Sequence, residues 1–161
     1  MLKPNTDIPA TPMPTSLEAT IELAAASPRK QRLLGFDLRF PPGKLPAADD
    51  GELKRFLRRL DAMFGSKGLD LDQRHAWRRG DDGGRPCYRC ALLLDGDRLG
   101  SVYGAQTIVQ ERWNRALGLP GEPNYGLVGQ SRLGYDGSVT LWDDAPFLEA
   151  TLKASLAWAS A

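Results

Sequence analysis

The sequence predicts an α+β fold in which a mostly antiparallel sheet of four or five strands is flanked by helices. Segments that alternate apolar and polar residues outnumber segments with helical periodicity. The two kinds of segment do not follow each other one for one, as a doubly wound parallel sheet requires. A length of 161 residues with 42% hydrophobic content suits one domain with a substantial core.

The first elements predict an extended arm followed by the domain. Residues 1–14 carry four prolines and predict a Pro-rich extended arm, which leaves residues 15–161 as a single α+β domain. Thr15 and Glu18 have the spacing of a capping box ahead of a predicted helix at Ala19–Ala26. The first core strand is predicted over Arg32–Phe40, where apolar residues alternate with others.

The clearest helix is predicted over Asp50–Phe64, where apolar residues form a stripe at helical spacing and Asp49 or Asp50 caps the start. A hairpin with a long turn follows, and the two long strands at Arg32–Phe40 and Pro86–Leu94 are expected to be central. The remaining predicted elements are strand Leu69–Arg79, loop Gly80–Gly84, strand Pro86–Leu94, helix Thr107–Leu117, strands Tyr125–Val128 and Ser138–Trp142, and helix Pro146–Ala159.

Composition excludes several classes of protein. No apolar run has the length of a membrane span, and residues 1–16 lack the apolar core of a signal peptide, so a cytoplasmic location in a bacterial host is expected. The net charge of +1 divides unevenly, because residues 28–90 carry 15 Lys/Arg against 9 Asp/Glu. This basic part of the chain predicts either a face for nucleic acid or an acidic partner, or simply well-solvated helix faces.

The two cysteines form a CxxC sequence at Cys87 and Cys90. On a strand, positions i and i+3 point to opposite faces, so the thiols are not expected to chelate one metal. A redox motif of this kind opens a helix, whereas this one lies in a predicted strand. Buried structural cysteines are therefore predicted.

An ordered series of segments carries a resemblance to a known family. RLLGFDLRFP at Arg32–Pro41 resembles the opening strand of the YagK/YfjJ prophage family, which is related to the inovirus-type rolling-circle replication initiators. The resemblance continues through HAWRRG, RPCYRCALLLDGD, ERWNRALGL and YGLVGQ, and covers about residues 28–142. It implies an HUH-type domain, a sandwich related to the RRM and ferredoxin-like folds.

The resembled family cuts DNA with two metal-binding histidines at i and i+2 of a strand and a tyrosine on a later helix. The corresponding triplet here is Cys87-Tyr88-Arg89, and a fixed guanidinium at Arg89 would repel a divalent cation. Gly80 stands where the family often has an acidic residue, and the last helix, TLKASLAWASA, has no tyrosine. The resemblance therefore implies a degenerate member that is not an enzyme and uses no metal or cofactor.

Cationic side chains are the candidate partner-binding residues. Together with Tyr88 or Trp77, the strand arginines are predicted to form a basic, aromatic sheet face that stacks bases, unless they are scattered surface residues with Trp77 in the core. The candidates are Arg39, Lys54, Arg55, Arg58, Arg59, Arg78 and Arg89.

Two functions remain open for a Rep-like domain that has lost its chemistry. The first is an inhibitor that binds a host defence protein or protein–RNA complex, of the anti-CRISPR class. The second is a DNA-binding accessory or regulatory factor in phage or plasmid replication. The near-neutral net charge favours the first, since binding to bare DNA or RNA relies on an overall basic surface.

Overall fold

The computed structural model describes residues 16–66, 74–119 and 126–161, and the predicted arm at residues 1–14 lies outside them. Four helices and five strands follow in chain order. They are α1 (Leu17–Ala25), β1 (Gln31–Arg39), α2 (Gly51–Ser66), β2 (Arg74–Asp82), β3 (Arg85–Asp95), α3 (Val102–Ala116), β4 (Val128–Gln130), β5 (Ser138–Leu141) and α4 (Leu148–Ser160).

The strands form one open antiparallel sheet in the order β2-β3-β1-β4, with β5 also paired to β1. The run from β1 through α2, β2, β3 and α3 to β4 has the order of a split β-α-β, or ferredoxin-like, arrangement. The two strands predicted to be central lie at the centre as β1 and β3, which confirms that prediction and the predicted α+β class.

Each face of the sheet is covered by two helices. On the first face, Leu34, Phe36 and Leu38 of β1 pack with α2 and α3 around the buried Trp113. On the second face, Leu33 and the small or apolar residues of β3 pack with α1 and α4. Successive side chains of β1 point to opposite faces of the sheet. Because apolar helices cover each face, side chains on both sides of β1 are buried.

The fourth and fifth strands continue one another along the same side of β1. β4 pairs with residues 36–38 and β5 with residues 31–34. Between them, the N–H of Ser131 donates to the Gly35 carbonyl, and the N–H of Gly35 donates to the Gly137 carbonyl. The segment from residue 131 to residue 137 is thus a loop at one edge of the sheet, and it offsets the register of β5 on β1 by six residues from that of β4.

Several boundaries differ from those predicted. The turn of the hairpin is only Gly83 and Gly84, both at positive φ, so β2 continues to Asp82 where a long loop was predicted. Two consecutive positive φ values are what a two-residue type I′ turn requires. Helix α3 begins at Val102, five residues before the predicted start, because Ser101 caps it by accepting a hydrogen bond from the N–H of Gly104. Tyr125, the predicted start of a strand, lies outside the described residues.

Candidate binding surfaces

A two-point ion pair joins the central strands on the second face of the sheet. Arg89 of β3 lies opposite Asp37 of β1. Its Nε donates to Asp37 Oδ1 at 2.9 Å and its Nη2 to Asp37 Oδ2 at 3.1 Å. The two side chains are 23% and 22% exposed, and the carboxylate beside it raises the pKa of the Arg89 guanidinium. The Arg89 guanidinium is therefore held by a carboxylate on the neighbouring strand through two charge-assisted hydrogen bonds.

The same face receives the last turn of α4. Arg89 Nη1 donates to the Trp158 carbonyl at 2.8 Å, and Arg78 Nη2 donates to the Ala161 carbonyl at 2.8 Å. Arg78 Nη1 also donates to the Ala159 carbonyl. Carbonyls in the last turn of a helix have no partner within the helix and carry its partial negative charge, so these arginines neutralise and cap α4.

Trp158 completes this contact from the helix side. Its ring lies beneath the Arg89 guanidinium, with the Cζ atom 5.5 Å from the ring centroid, and it packs directly over Gly35 of β1. A Cβ added to Gly35 would lie 2.8 Å from Trp158 Cζ2 and 2.9 Å from Ser131 Oγ. Glycine at the middle of β1 therefore allows α4 to approach the sheet closely.

The two cysteines lie on opposite faces of β3, as the sequence predicts. Both thiols are free and buried. Cys90 belongs to the core beneath α2 and α3, whereas Cys87 shares the second face with Arg89. Burial raises the pKa of Cys87 and, more strongly, that of Cys90, so both are neutral thiols rather than thiolate ligands or nucleophiles.

The aromatic residues of β2 and β3 lie on the other face from these arginines. Tyr88 is fully buried and Trp77 packs edge-on against it at 5.7 Å between ring centroids. The Tyr88 hydroxyl donates to Asp50 Oδ1 at 2.6 Å, and Arg79 Nη1 donates to the same oxygen at 3.2 Å. The basic, aromatic sheet face considered from the sequence is therefore not formed, because alternation along each strand separates Arg78 and Arg89 from both rings.

Arg39 occupies a more open position on the arginine face. Its Nε donates to Asp82 Oδ2 at 3.2 Å, and the two side chains are 36% and 60% exposed. The indole Nε1–H of Trp113 donates to the Arg39 carbonyl at 2.8 Å, which ties this end of β1 to α3. Arg39 thus belongs to an exposed ion pair, in which the mutual stabilisation is small.

The basic face of α2, defined as Lys54, Arg55, Arg58 and Arg59, differs from the strand arginines in being exposed. Its opposite side buries Leu53, Phe56, Leu60 and Phe64 in the core. Over residues 16–66, 74–119 and 126–161, no carboxylate lies within 4.0 Å of these four cations. The seven candidate residues therefore form two groups. Four are exposed cations on α2, and three, Arg39, Arg78 and Arg89, are held in contacts within the protein.

The described ranges hold neither a metal-ligand cluster nor a membrane-spanning helix. No three His, Cys, Asp or Glu side chains in the described part of the chain come together in a group that could hold a metal ion. None of the helices described is both long and apolar enough to cross a bilayer.

Sequence reasoning missed the partners of the arginines. Asp37 and Trp158 lie far from Arg89 in the chain, and only the pairing of β1 with β3 and the packing of α4 bring them together. The acidic residue within the first core strand was the available signal, since a carboxylate between Phe36 and Leu38 needs a partner when both faces are covered.

Comparison of the chain with protein-family models, with curated proteins and with solved structures finds no match.

Proposed function

We propose that this protein acts by binding and without catalysis, and that the basic face of α2 contacts a nucleoprotein complex of a bacterial host, which the protein inhibits in the manner of an anti-CRISPR. The observation that carries the proposal is the set of four exposed cations on one rigid helix. Lys54 and Arg55 lie one turn before Arg58 and Arg59, so the charges form a single block.

Such a helix suits recognition of a polyanionic surface. Its core side is anchored by side chains with 0–1% exposure, including Phe56 and Phe64, so the backbone is ordered before a partner arrives. Binding then costs no ordering of the helix backbone beyond the translational, rotational and side-chain entropy that association requires. Clustered like charges also accelerate encounter with an oppositely charged partner.

Two contacts support the loss of nuclease chemistry. The guanidinium of Arg89 and the thiol of Cys87, whose pKa is raised by burial, stand where the resemblance would imply metal ligands, and α4 packs on that same face without a tyrosine. In place of a nucleophile, α4 presents carbonyls that the two strand arginines cap. This arrangement stabilises the fold at the place where the resembled family performs cleavage.

The alternative is a DNA-binding accessory factor of phage or plasmid replication, which the same basic face favours. A near-neutral chain with one basic block fits a mixed protein–nucleic acid surface better than bare DNA, since affinity for DNA grows with the number of phosphates neutralised. The two proposals predict different partners for the same four side chains.

The decisive experiment compares capture from host lysate by the full chain, with and without nuclease treatment. The variant Arg55→Glu/Arg58→Glu removes the block, and Arg115→Glu/Arg132→Glu makes the same charge change at two other exposed arginines. We expect the first variant to lose a captured protein–RNA complex, and the second to retain it, with both melting near the wild-type temperature.

Direct DNA assays complete the test. The inhibitor proposal expects weak DNA binding at physiological salt, no nicking, and no covalent DNA adduct on a denaturing gel. If Arg55→Glu/Arg58→Glu leaves complex capture intact but weakens DNA binding, the accessory-factor proposal replaces the inhibitor. A tyrosyl–DNA adduct would overturn both.

A further inference from the structure

β2 is an edge strand with an unusually regular charge order. Its nine residues, Arg74–Asp82, read RHAWRRGDD, basic at the start and acidic at the end. Among the strands described, β3 is the one that pairs with it, so within residues 16–66, 74–119 and 126–161 the other side of β2 has no strand partner. An open strand edge presents unpaired backbone N–H and C=O groups to any strand that can pair with it.

The hydrogen bonds of the sheet determine which groups point outward. The N–H groups of Gly35 and Arg39 donate toward the β4–β5 side, so the intervening residues of β1 bond to β3. In an antiparallel sheet, successive residues of a strand hydrogen-bond alternately to the strand on one side and to the strand on the other. Applied to the β1–β3 and β3–β2 registers, this rule directs the N–H and C=O groups of Arg78 and the other even-numbered residues of β2 toward β3. The outward groups of β2 belong to His75, Trp77, Arg79 and Asp81.

We propose that β2 pairs antiparallel with β2 of a second copy of this chain, about a two-fold axis at Arg78. In this register the outward groups of His75 meet those of Asp81, and those of Trp77 meet those of Arg79. Residue 74 stands opposite residue 82, which places another basic residue against an acidic one. Two-fold symmetry repeats each pair, so one strand sequence supplies both halves of the interface.

Charge selects this register from the neighbouring ones. An axis at Trp77 also matches outward groups but carries Asp81 and Asp82 past the start of the partner's β2. An axis at Arg79 places these two aspartates opposite the uncharged Trp77 and Ala76. Like charges directly opposite one another destabilise a strand pair, whereas opposite charges stabilise it. The axis at Arg78 gives opposite charges at both ends of the ladder.

The one like-charged pair in this register is relieved by an internal contact. Arg78 meets its own copy at the axis, but its guanidinium is drawn toward α4 by the carbonyls of Ala159 and Ala161. The pairs beside it, Ala76 with Gly80, are small and leave room at the axis. The net charge of +1 per chain adds little long-range repulsion between copies.

A charge swap tests the pairing. Asp82→Arg places like charges at both ends of the ladder, and the double variant Arg74→Asp/Asp82→Arg restores opposite charges in reversed order. Asp97→Arg is the matched control, because it makes the same change at a carboxylate that is 76% exposed in a turn outside the sheet. Sedimentation equilibrium of the full-length chains measures the dimer dissociation constant.

We expect the wild type to be dimeric at about 100 µM, Asp82→Arg to weaken dimerisation about tenfold or more, and the swap to recover most of the loss. Asp97→Arg should match the wild type. Hydrogen exchange at the amides of His75, Trp77, Arg79 and Asp81 should slow as concentration rises. A monomeric wild type, a swap that fails to recover, or a dimer without this protection would overturn the proposal.

Discussion

The Tyr88 hydroxyl donates a 2.6 Å hydrogen bond to Asp50 Oδ1, which links the central strand β3 to the residue that precedes α2. Asp50 adopts a positive φ of 58°, unusual for a residue other than glycine. Asp49 meanwhile accepts a hydrogen bond from the N–H of Gly51 at 3.0 Å at the start of the helix. Asp49 thus caps the start of α2, and the adjacent Asp50 orients the buried Tyr88.

Tyr88→Phe tests this link. Removal of the hydroxyl leaves a partly buried carboxylate with one partner fewer, so we expect a loss of about 1.5–2 kcal/mol in the free energy of unfolding. Urea denaturation followed by fluorescence measures it. Tyr103→Phe is the control, since that side chain is 78% exposed and its variant should match the wild type. Equal stabilities for the two variants would contradict the role given to Asp50.

Arg89→Met tests the ion pair between the two central strands. The substitution leaves the Asp37 carboxylate without its two charged donors and uncaps α4, so a loss of about 2–3 kcal/mol is expected. Arg39→Met breaks a more exposed pair with Asp82 and should cost less than about 1 kcal/mol. The comparison fails if the exposed pair proves the more costly to break.

Gly35→Ala tests the close approach of Trp158 to β1. The added methyl would overlap the indole ring and the Ser131 hydroxyl, so α4 must shift, at about 1–3 kcal/mol. Gly80→Ala in β2 meets no atom within 4 Å and should be neutral within about 0.5 kcal/mol. Thermal unfolding of both variants checks the difference; a stable Gly35→Ala would mean that α4 is not held against β1.

Stability should fall in alkaline solution. Burial raises the pKa of Cys87 and Cys90 above their ordinary value of 9.0, and burial also raises the pKa of Tyr88. Below pH 9 the thiols keep their protons in both states, and the stabilisation is fully present. Above it the unfolded thiols ionise first, so the stabilisation is lost as the pH rises toward the folded-state values.

The measurement is the free energy of unfolding at about pH 8 and about pH 10 for the wild type and for Cys87→Ala/Cys90→Ala. The double variant should be less stable at the lower pH because it leaves a cavity, but its stability should decline less between the two values. A parallel decline in both proteins would show that other groups govern the alkaline response.

Local patterns in the sequence were enough to predict the fold class, the two central strands and the core side of α2. Period-two and helical spacing act within an element, and β1 and α2 follow them closely. The position of each arginine in a strand was also predictable. The partner of each guanidinium was not predictable, because tertiary structure alone brings the partners together. Arg89 contacts Asp37, Arg39 contacts Asp82, and Arg78 contacts the last turn of α4.

Turn geometry was the other failure. Five consecutive residues rich in glycine and aspartate, 80–84, suggested a long loop, but only Gly83 and Gly84 are needed to reverse the chain. Asp81 satisfies the Gly84 N–H with its side chain, and Asp82 is paired in the ladder. Polar composition near a hairpin therefore indicates exposure at a strand end rather than the absence of a strand.

The interrupted edge of the sheet bears on the order in which the chain folds. Among the described strands β1 comes first along the chain, yet its two sides are completed by β3 and then by β4 and β5, with residue 31 paired to residue 141. Until that last pairing forms, an apolar strand has one open side, and the entropy of closing so long a stretch of chain slows the step. Pairing of β5 therefore closes the last open side of β1 and shortens the time for which this apolar strand is exposed to chaperones and proteases.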